Sequence, residues 1–421
     1  MVHHFAYHDG ILHAEDLPIP ELADQFGTPF YLYSAATFRR HVRVMKAAFS
    51  GPDTLIAYAM KANSNQAILT LMAKEGVGAD VVSEGELRRA LKAGIAPDKI
   101  VFSGVGKTAA EMRLGLEAGI RCFNVESEPE LERLNEVAGQ LGRIAPVSVR
   151  INPNVDARTH AKISTGKAED KFGIPYERAR PVYRRIADLP HVSAIGVDMH
   201  IGSQIIDLEP FGNAFALLAQ LVTDLRSDGH NISHVDVGGG LGIPYKTDNQ
   251  PPPLPDAYAR VVRDNVDKLD CGLVLEPGRL IAGNAGILVT RVEYVKQGAE
   301  RTFVIVDAGM NDLIRPTLYE AHHDIWPVIE ARGNETLYGD LVGPVCETGD
   351  YLARGRGLPA FVEGDLVAIM SGGAYGAVQS STYNSRALIP EVLVDGAKAH
   401  AIRPRQSLDD LIGLDSVPDW L

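Results

Sequence analysis

"TLIAYAMK", residues 54–61, is a short apolar run closed by a lysine, the pattern of a strand buried on both faces. Seven runs of the same kind follow it: "GADVVS" (78–83), "KIVFSG" (99–104), "RCFNVES" (121–127), "APVSVRIN" (145–152), "AIGVDMHIG" (194–202), "HVDVGGG" (234–240) and "GLVLEPG" (272–278). Segments of helical period lie between them. Ser83 with Glu86, and Ser127 with Glu130, have the spacing of capping boxes set directly after a strand. Leu131, Leu134, Val137 and Leu141 then mark one apolar side of a helix. Eight strands alternating with helices over roughly 225 residues predict a (β/α)8 barrel, with a doubly wound open sheet as the alternative that the pattern leaves open.

Past about residue 280 the rhythm changes. "ILVTRVEYVKQ" (287–297), "RTFVIVDAG" (301–309), "DLVAIMSG" (365–372) and "EVLVDGAKAHAIR" (391–403) are rich in β-branched residues and separated by Gly and Pro turns, which predicts a mostly β domain, a sandwich or barrel. "PFYLYS" (29–34) has no place in the eight-strand count and is assigned to the same domain. The expected division is a barrel over 35–280 and a β domain made of 1–34 and 281–421. "PPPLP" (251–255) reads as a stiff loop before a helix.

The formal charge of -13 on 421 residues argues against a partner bound through a phosphate backbone, which needs clustered Lys and Arg. Cys122, Cys271 and Cys346 are odd in number and far apart, so neither a disulfide framework nor a metal site is indicated. No window approaches 18 uninterrupted apolar residues, and "MVHHFAYHDG" lacks the basic and apolar segments of a leader. The expectation is a cytoplasmic protein that acts on a small soluble ligand, without nucleic-acid or membrane partners.

Barrel active sites lie at the C-terminal ends of the strands, and those ends carry Lys61, Ser83, Ser103, Glu126, Arg150, His200, Gly238 to Gly240 and Glu276. Lys61 would emerge from a dry strand, a setting that depresses an ammonium pKa and suits it to Schiff-base formation; a solvated surface charge is the alternative. "GGGLG" (238–242), with Gly239 and Gly240 at its centre, lets backbone N–H groups close on an anion, or else is a tight turn without a ligand. "EPGR" (276–279) ends the eighth strand beside it. An amine, a phosphate cradle and an acid at one barrel mouth meet the needs of pyridoxal 5'-phosphate. Lys61 would take the aldehyde, the glycine loop the phosphate, and Glu276 would keep the pyridine nitrogen protonated, unless it is an ion-pair partner of Arg279. His200 would stack on the ring; alone it reads as a core histidine.

"YAMKAN" (58–63), "HIGSQ" (200–204), "GGGLG" (238–242), "EPGR" (276–279), "GPVCE" (343–347) and "GAYG" (373–376), in this order, give the chain a close resemblance to the diaminopimelate decarboxylases. These are pyridoxal-phosphate enzymes of the alanine racemase-like fold type that perform the last step of lysine biosynthesis, releasing CO2 from meso-2,6-diaminopimelate. The resemblance implies a homodimer whose active site lies between the barrel of one subunit and the β domain of the other. It implies that Lys61 bonds the cofactor, His200 stacks on its ring and Glu276 pairs with its nitrogen. Ser203, Gly239, the backbone of Glu276, Pro277, Gly278 and Arg279, and Tyr375 would hold the phosphate. Arg279, Arg315, Tyr319, Glu347 and Tyr375 would grip the far end of the substrate. Two arginines suit a distal carboxylate, which ornithine and arginine decarboxylases have no need to clamp; surface solvation is the alternative for Arg315 and Tyr319.

Cys346, in "GPVCETGD" (343–350), is the expected proton donor from the partner subunit, with a buried apolar filler as the alternative. Asp170, in "GKAEDKFGI" (166–174), stands where the resemblance leads one to expect a small polar residue. Glu276 argues against an amino-acid racemase, in which an arginine faces the ring nitrogen. The presence of both Lys61 and Cys346 argues against a non-catalytic pyridoxal-phosphate carrier. The lack of a His-x-His pair at a strand end argues against a metal-dependent barrel hydrolase.

Overall fold

The computed structural model describes residues 3–51, 53–167, 169–247, 251–330 and 336–421; Ala168 of the "GKAEDKFGI" loop lies outside the described residues. The chain forms two compact units. One spans His41–Ile243 and, after a break, a second segment that ends at Ile281; the other comprises the described residues up to Arg40, a short piece beginning at Pro244, and those from Ala282 onward.

In the first unit the eight apolar runs become eight parallel strands: β1 (Thr54–Ala59), β2 (Gly78–Val81), β3 (Ile100–Phe102), β4 (Cys122–Val125), β5 (Ala145–Asn152), β6 (Val192–Asp198), β7 (His234–Asp236) and β8 (Gly272–Leu275). Each pairs with the next, and β8 returns to β1 through Leu273 opposite Thr54. The sheet is therefore closed, which excludes the open doubly wound alternative. Ala57, Val101, Cys122 and Val274, all fully buried, form an apolar cluster across four of these strands. Cys122 is thus a core filler, and burial pushes its thiol pKa well up.

The helices start where the sequence places their caps. Ser83 accepts the N–H of Glu86, and Ser127 that of Glu130. The return bonds differ from a capping box: Glu86 accepts from the N–H of Val82 (2.8 Å) and Glu130 from that of Glu126 (3.0 Å), one residue before each cap. A complete box stands instead at Thr108 and Glu111, before the helix Ala109–Ala118. In the helix Glu128–Gln140, Leu131, Leu134 and Val137 are buried, each stabilising by about 1.5–3 kcal/mol. Leu141, just past its end, is half-buried.

The second unit is built on a nine-stranded sheet. Its spine is Gly286–Gln297, which pairs antiparallel with Phe30–Ser34, with Thr302–Val306 and with Leu366–Ile369. Phe30–Ser34 also pairs in parallel with Glu391–Asp395, which turns back into Lys398–Arg403. Phe30, Leu32, Ile287, Val289, Ala368 and Val392 form its core. Thr336–Val342 and Tyr351–Pro359 extend the sheet, although "YLARGRGLP" carries too much Arg and Gly to read as a strand. Among the described residues no helix is long and apolar enough to cross a membrane.

Candidate active site

Lys61 lies in a single 3-10 turn, Met60–Ala62, just past β1. Its amine forms a 2.7 Å ion pair with Asp80, at the end of β2; the lysine side chain is 40% exposed and the aspartate wholly buried. The amine therefore meets a carboxylate rather than the dry surroundings expected of it.

Glu276, just past β8, is buried. Its Oε1 accepts from Asn124 Nδ2 (3.3 Å) and Ser103 Oγ (3.4 Å), and Asn124 also donates to Ser103 (3.1 Å). Asp198 and Asp236 end β6 and β7, and each places a carboxylate oxygen within 4.8 Å of the others and of Glu276. Burial, then Asp236, Asp80 and Asp198, push the Glu276 pKa well up, with Lys61 opposing. Burial likewise raises Asp236 to about 6, offset in part by the Gly238 N–H at 2.9 Å. Burial and Asp236 raise Asp198 against the pull of Arg150. Arg150, stacked on Phe172 at 4.8 Å, pairs with Glu126 at 3.1 Å. The floor of the rim is thus rich in buried carboxylate, and a cation beside Glu276 would let these groups ionise. A protonated pyridine nitrogen meets that need.

Next to this floor the glycine run admits no side chains. A Cβ on Gly239 would lie 2.3 Å from the Glu276 carbonyl oxygen, and one on Gly240, whose φ is +105°, would lie 2.4 Å from that of Gly202. The Gly239 N–H donates to His200 Nδ1 (3.1 Å), so the imidazole carries its proton on Nε2. Burial, then Arg150 and Lys61, hold the His200 pKa well below its ordinary value, so it presents a neutral ring. Arg279 donates from Nη2 (2.9 Å) and Nε (3.3 Å) to Ser203 Oγ. Pro277 accepts from the Ala59 N–H (3.3 Å), and Gly278 has room for no Cβ without crowding Ala62 (3.1 Å). Asp170 accepts from the Lys167 N–H (3.0 Å) and faces Ser164 Oγ (3.4 Å), so it folds its own loop.

In the second unit Arg315 is buried, not solvated, at the start of the helix Arg315–Tyr319. The half-buried Tyr319 hydroxyl lies 3.4 Å from Gln379 Nε2. Tyr375 sits between Ala374 and Gly376 in the left-handed region (φ +55°), uncommon for an aromatic residue. Cys346 is exposed, which rules out the apolar-filler alternative within this chain. Its turn is fixed from the backbone: the Cys346 N–H donates to Asn384 Oδ1 (2.8 Å), and Asp350 accepts the N–H groups of Met310 and Val345, each at 2.6 Å. Glu347 accepts from the Tyr383 hydroxyl at 3.1 Å.

Asp80, Asn124, Asp198 and Asp236 were absent from the rim residues read from sequence. Asp80 and Asn124 are each the lone polar residue of an apolar strand, and Asp198 and Asp236 are the carboxylates that close theirs; those are the signals by which they are found.

Residues 35–283 match the family of pyridoxal-dependent decarboxylases, through its pyridoxal binding domain, so the protein is a pyridoxal-dependent decarboxylase. The diaminopimelate decarboxylase of Vibrio cholerae is 51% identical over 410 residues, 97% of each chain. That of Pseudomonas aeruginosa is 51% identical over 413 residues, 98% of this chain and 99% of its own. The diaminopimelate decarboxylase of M. jannaschii, solved with L-lysine, superposes with a TM-score of 0.94 at 39% identity, covering 99% of this chain and 98% of its own. The chain belongs to the diaminopimelate decarboxylase family.

Proposed function

We propose that the protein decarboxylates meso-2,6-diaminopimelate to L-lysine and CO2 as a cytoplasmic homodimer with shared active sites. The observation that carries the reading is the buried, oriented Arg315, a guanidinium kept out of water where a distal carboxylate can be its partner. Bound pyridoxal phosphate supplies an electron sink for the pair left by the departing CO2.

The chain's own residues do the rest. Lys61 offers its amine to the cofactor aldehyde, and Asp80 holds that amine in place. His200, with Nδ1 committed to Gly239, offers a neutral face to the ring. Glu276 keeps the ring nitrogen protonated, and the buried carboxylates beside it favour that cation. Ser203, Gly240, Tyr375 and the backbone of 276–279 hold the phosphate; Gly239 adds a close approach of bare backbone. Arg279, Arg315, Tyr319 and Glu347 grip the substrate's far end. Cys346 Sγ, from the partner subunit, returns a proton to the carbon that lost CO2. The chain's three cysteines are free thiols, which suits a reducing compartment.

Purified protein with pyridoxal phosphate is expected to form lysine from meso-diaminopimelate. If it instead releases only putrescine, agmatine or a polyamine from ornithine, arginine or carboxynorspermidine, the substrate assignment fails.

A further inference from the structure

After the helix Arg315–Tyr319 the chain turns at Glu320, in the left-handed conformation (φ +51°), and brings His323 back against Arg315. His323 is fully buried. Its Nδ1 lies 2.8 Å from the Met370 carbonyl oxygen and its Nε2 lies 2.8 Å from Arg315 Nη1. A carbonyl never donates and a guanidinium never accepts, so the proton belongs on Nδ1 and the Nε2 lone pair faces the arginine. The two partners together exclude the other tautomer. Tyr245 closes a second side: its ring lies 4.6 Å beneath the Arg315 guanidinium and meets the His323 ring edge-on, with centroids 5.2 Å apart. Arg356 donates to the His323 carbonyl oxygen and sits 2.7 Å from His322 Nδ1, while His322 Nε2 reaches Asp324 at 2.8 Å. Burial first, then Arg315, His322 and Arg356, hold the His323 pKa well below its ordinary value, with the Met370 carbonyl opposing.

A carboxylate is gripped best by a guanidinium whose plane is fixed. One hydrogen bond at an edge and one aromatic ring on a face fix both the plane and the rotation of Arg315. We propose that His323, with Tyr245, is the positioning residue that aims Arg315 at the distal carboxylate of the substrate and thereby sets the preference for an amino acid with a second amino-acid end. The proposal rests on the assignment of Arg315 to that carboxylate.

The test compares two ligands that differ only at the far end: meso-diaminopimelate, and D-lysine, which keeps the reacting D-centre but lacks the distal carboxylate. His323→Asn keeps a donor for Met370 and is too short to reach Arg315. It is expected to raise KM for meso-diaminopimelate by about 10-fold, the worth of a hydrogen bond to a charged group. The inhibition constant of D-lysine and kcat should stay within about 2-fold, since neither reads Arg315. Equal weakening of both ligands, or of neither, overturns the proposal and leaves His323 a packing residue. Arg315→Ala separates the premise: if it too leaves KM unchanged, the assignment of Arg315 to the substrate is what fails. If His323→Asn does not fold, His323→Phe, which keeps a ring in the same space but offers Arg315 no acceptor, carries the same comparison, and it overturns the proposal if it changes both ligands alike or neither.

Discussion

The barrel rim and the loops of the second unit hold their chemical groups in opposite ways. At the rim, Glu276 is 7% exposed, held by Asn124 and Ser103 and surrounded by Asp80, Asp198 and Asp236, all buried. In the second unit Cys346 and Glu347 stand on an exposed turn, and what is fixed there is the backbone beneath them, through Asn384 and Asp350. Groups that tune a cofactor's charge gain from low dielectric, because each neighbouring charge then acts at nearly full strength. A group that delivers a proton, or reads a substrate that must arrive and leave, gains from access.

The contrast breaks most visibly at Lys61. Lys61→Ala should abolish turnover together with the visible absorbance of the bound cofactor, whereas Cys346→Ala should keep that absorbance; loss of the band in both would erase the division. Mixing the two variants should raise lysine formation above that of either alone, and failure of reassembled mixtures to exceed the Cys346→Ala level would count against the shared site. Glu276→Gln comes next, with kcat lower by about 10²–10³-fold, the worth of one preorganised charge group. The same change should raise the melting temperature of the cofactor-free protein at pH 8, because it removes a carboxyl whose ionisation is opposed by burial. A lower melting temperature would show that Glu276 is a structural hydrogen-bond partner first. Cys346→Ala should then cost about 10²-fold in kcat, the lower range for a general acid, with the melting point unmoved.

The smallest expected effect is on the stability of the cofactor-free rim. Asp236 has a folded-state pKa of about 6 against 3.8 for the ordinary residue, so its contribution is fully present below pH 3.8 and lost as pH rises through about 6. The melting temperature of cofactor-free protein should therefore gain a falling component between pH 4 and 6, measurable by calorimetry and absent in Asp236→Asn. An unchanged slope in that variant would mean that Asp236 does not titrate there.

All eight barrel strands were legible because strands largely buried on both faces read as apolar runs set between segments of helical period. The return bonds of Glu86 and Glu130 were not, since spacing alone does not distinguish the cap amide from the one before it. Tyr351–Pro359 hid behind its arginines, whose long side chains let an edge strand look polar. At the site, residues just past a strand end were legible by position. Asp80 and Asn124 are hard to read because one polar residue inside an apolar run looks like noise, and Asp198 and Asp236 because an acid that closes a strand looks like the start of a loop. The tie of Gly239 to His200 joins positions far apart in sequence, and periodicity carries no trace of it.

Glu86 and Glu130 sit on helices, yet each is bonded to an amide two residues beyond Asp80 or Asn124. The outer ring and the rim are therefore one mechanical part at these two corners of the barrel. A substitution in the first turn of either helix, remote from any ligand by its place in the chain, would be transmitted to the carboxylate that holds Lys61 or to the amide that supports Glu276.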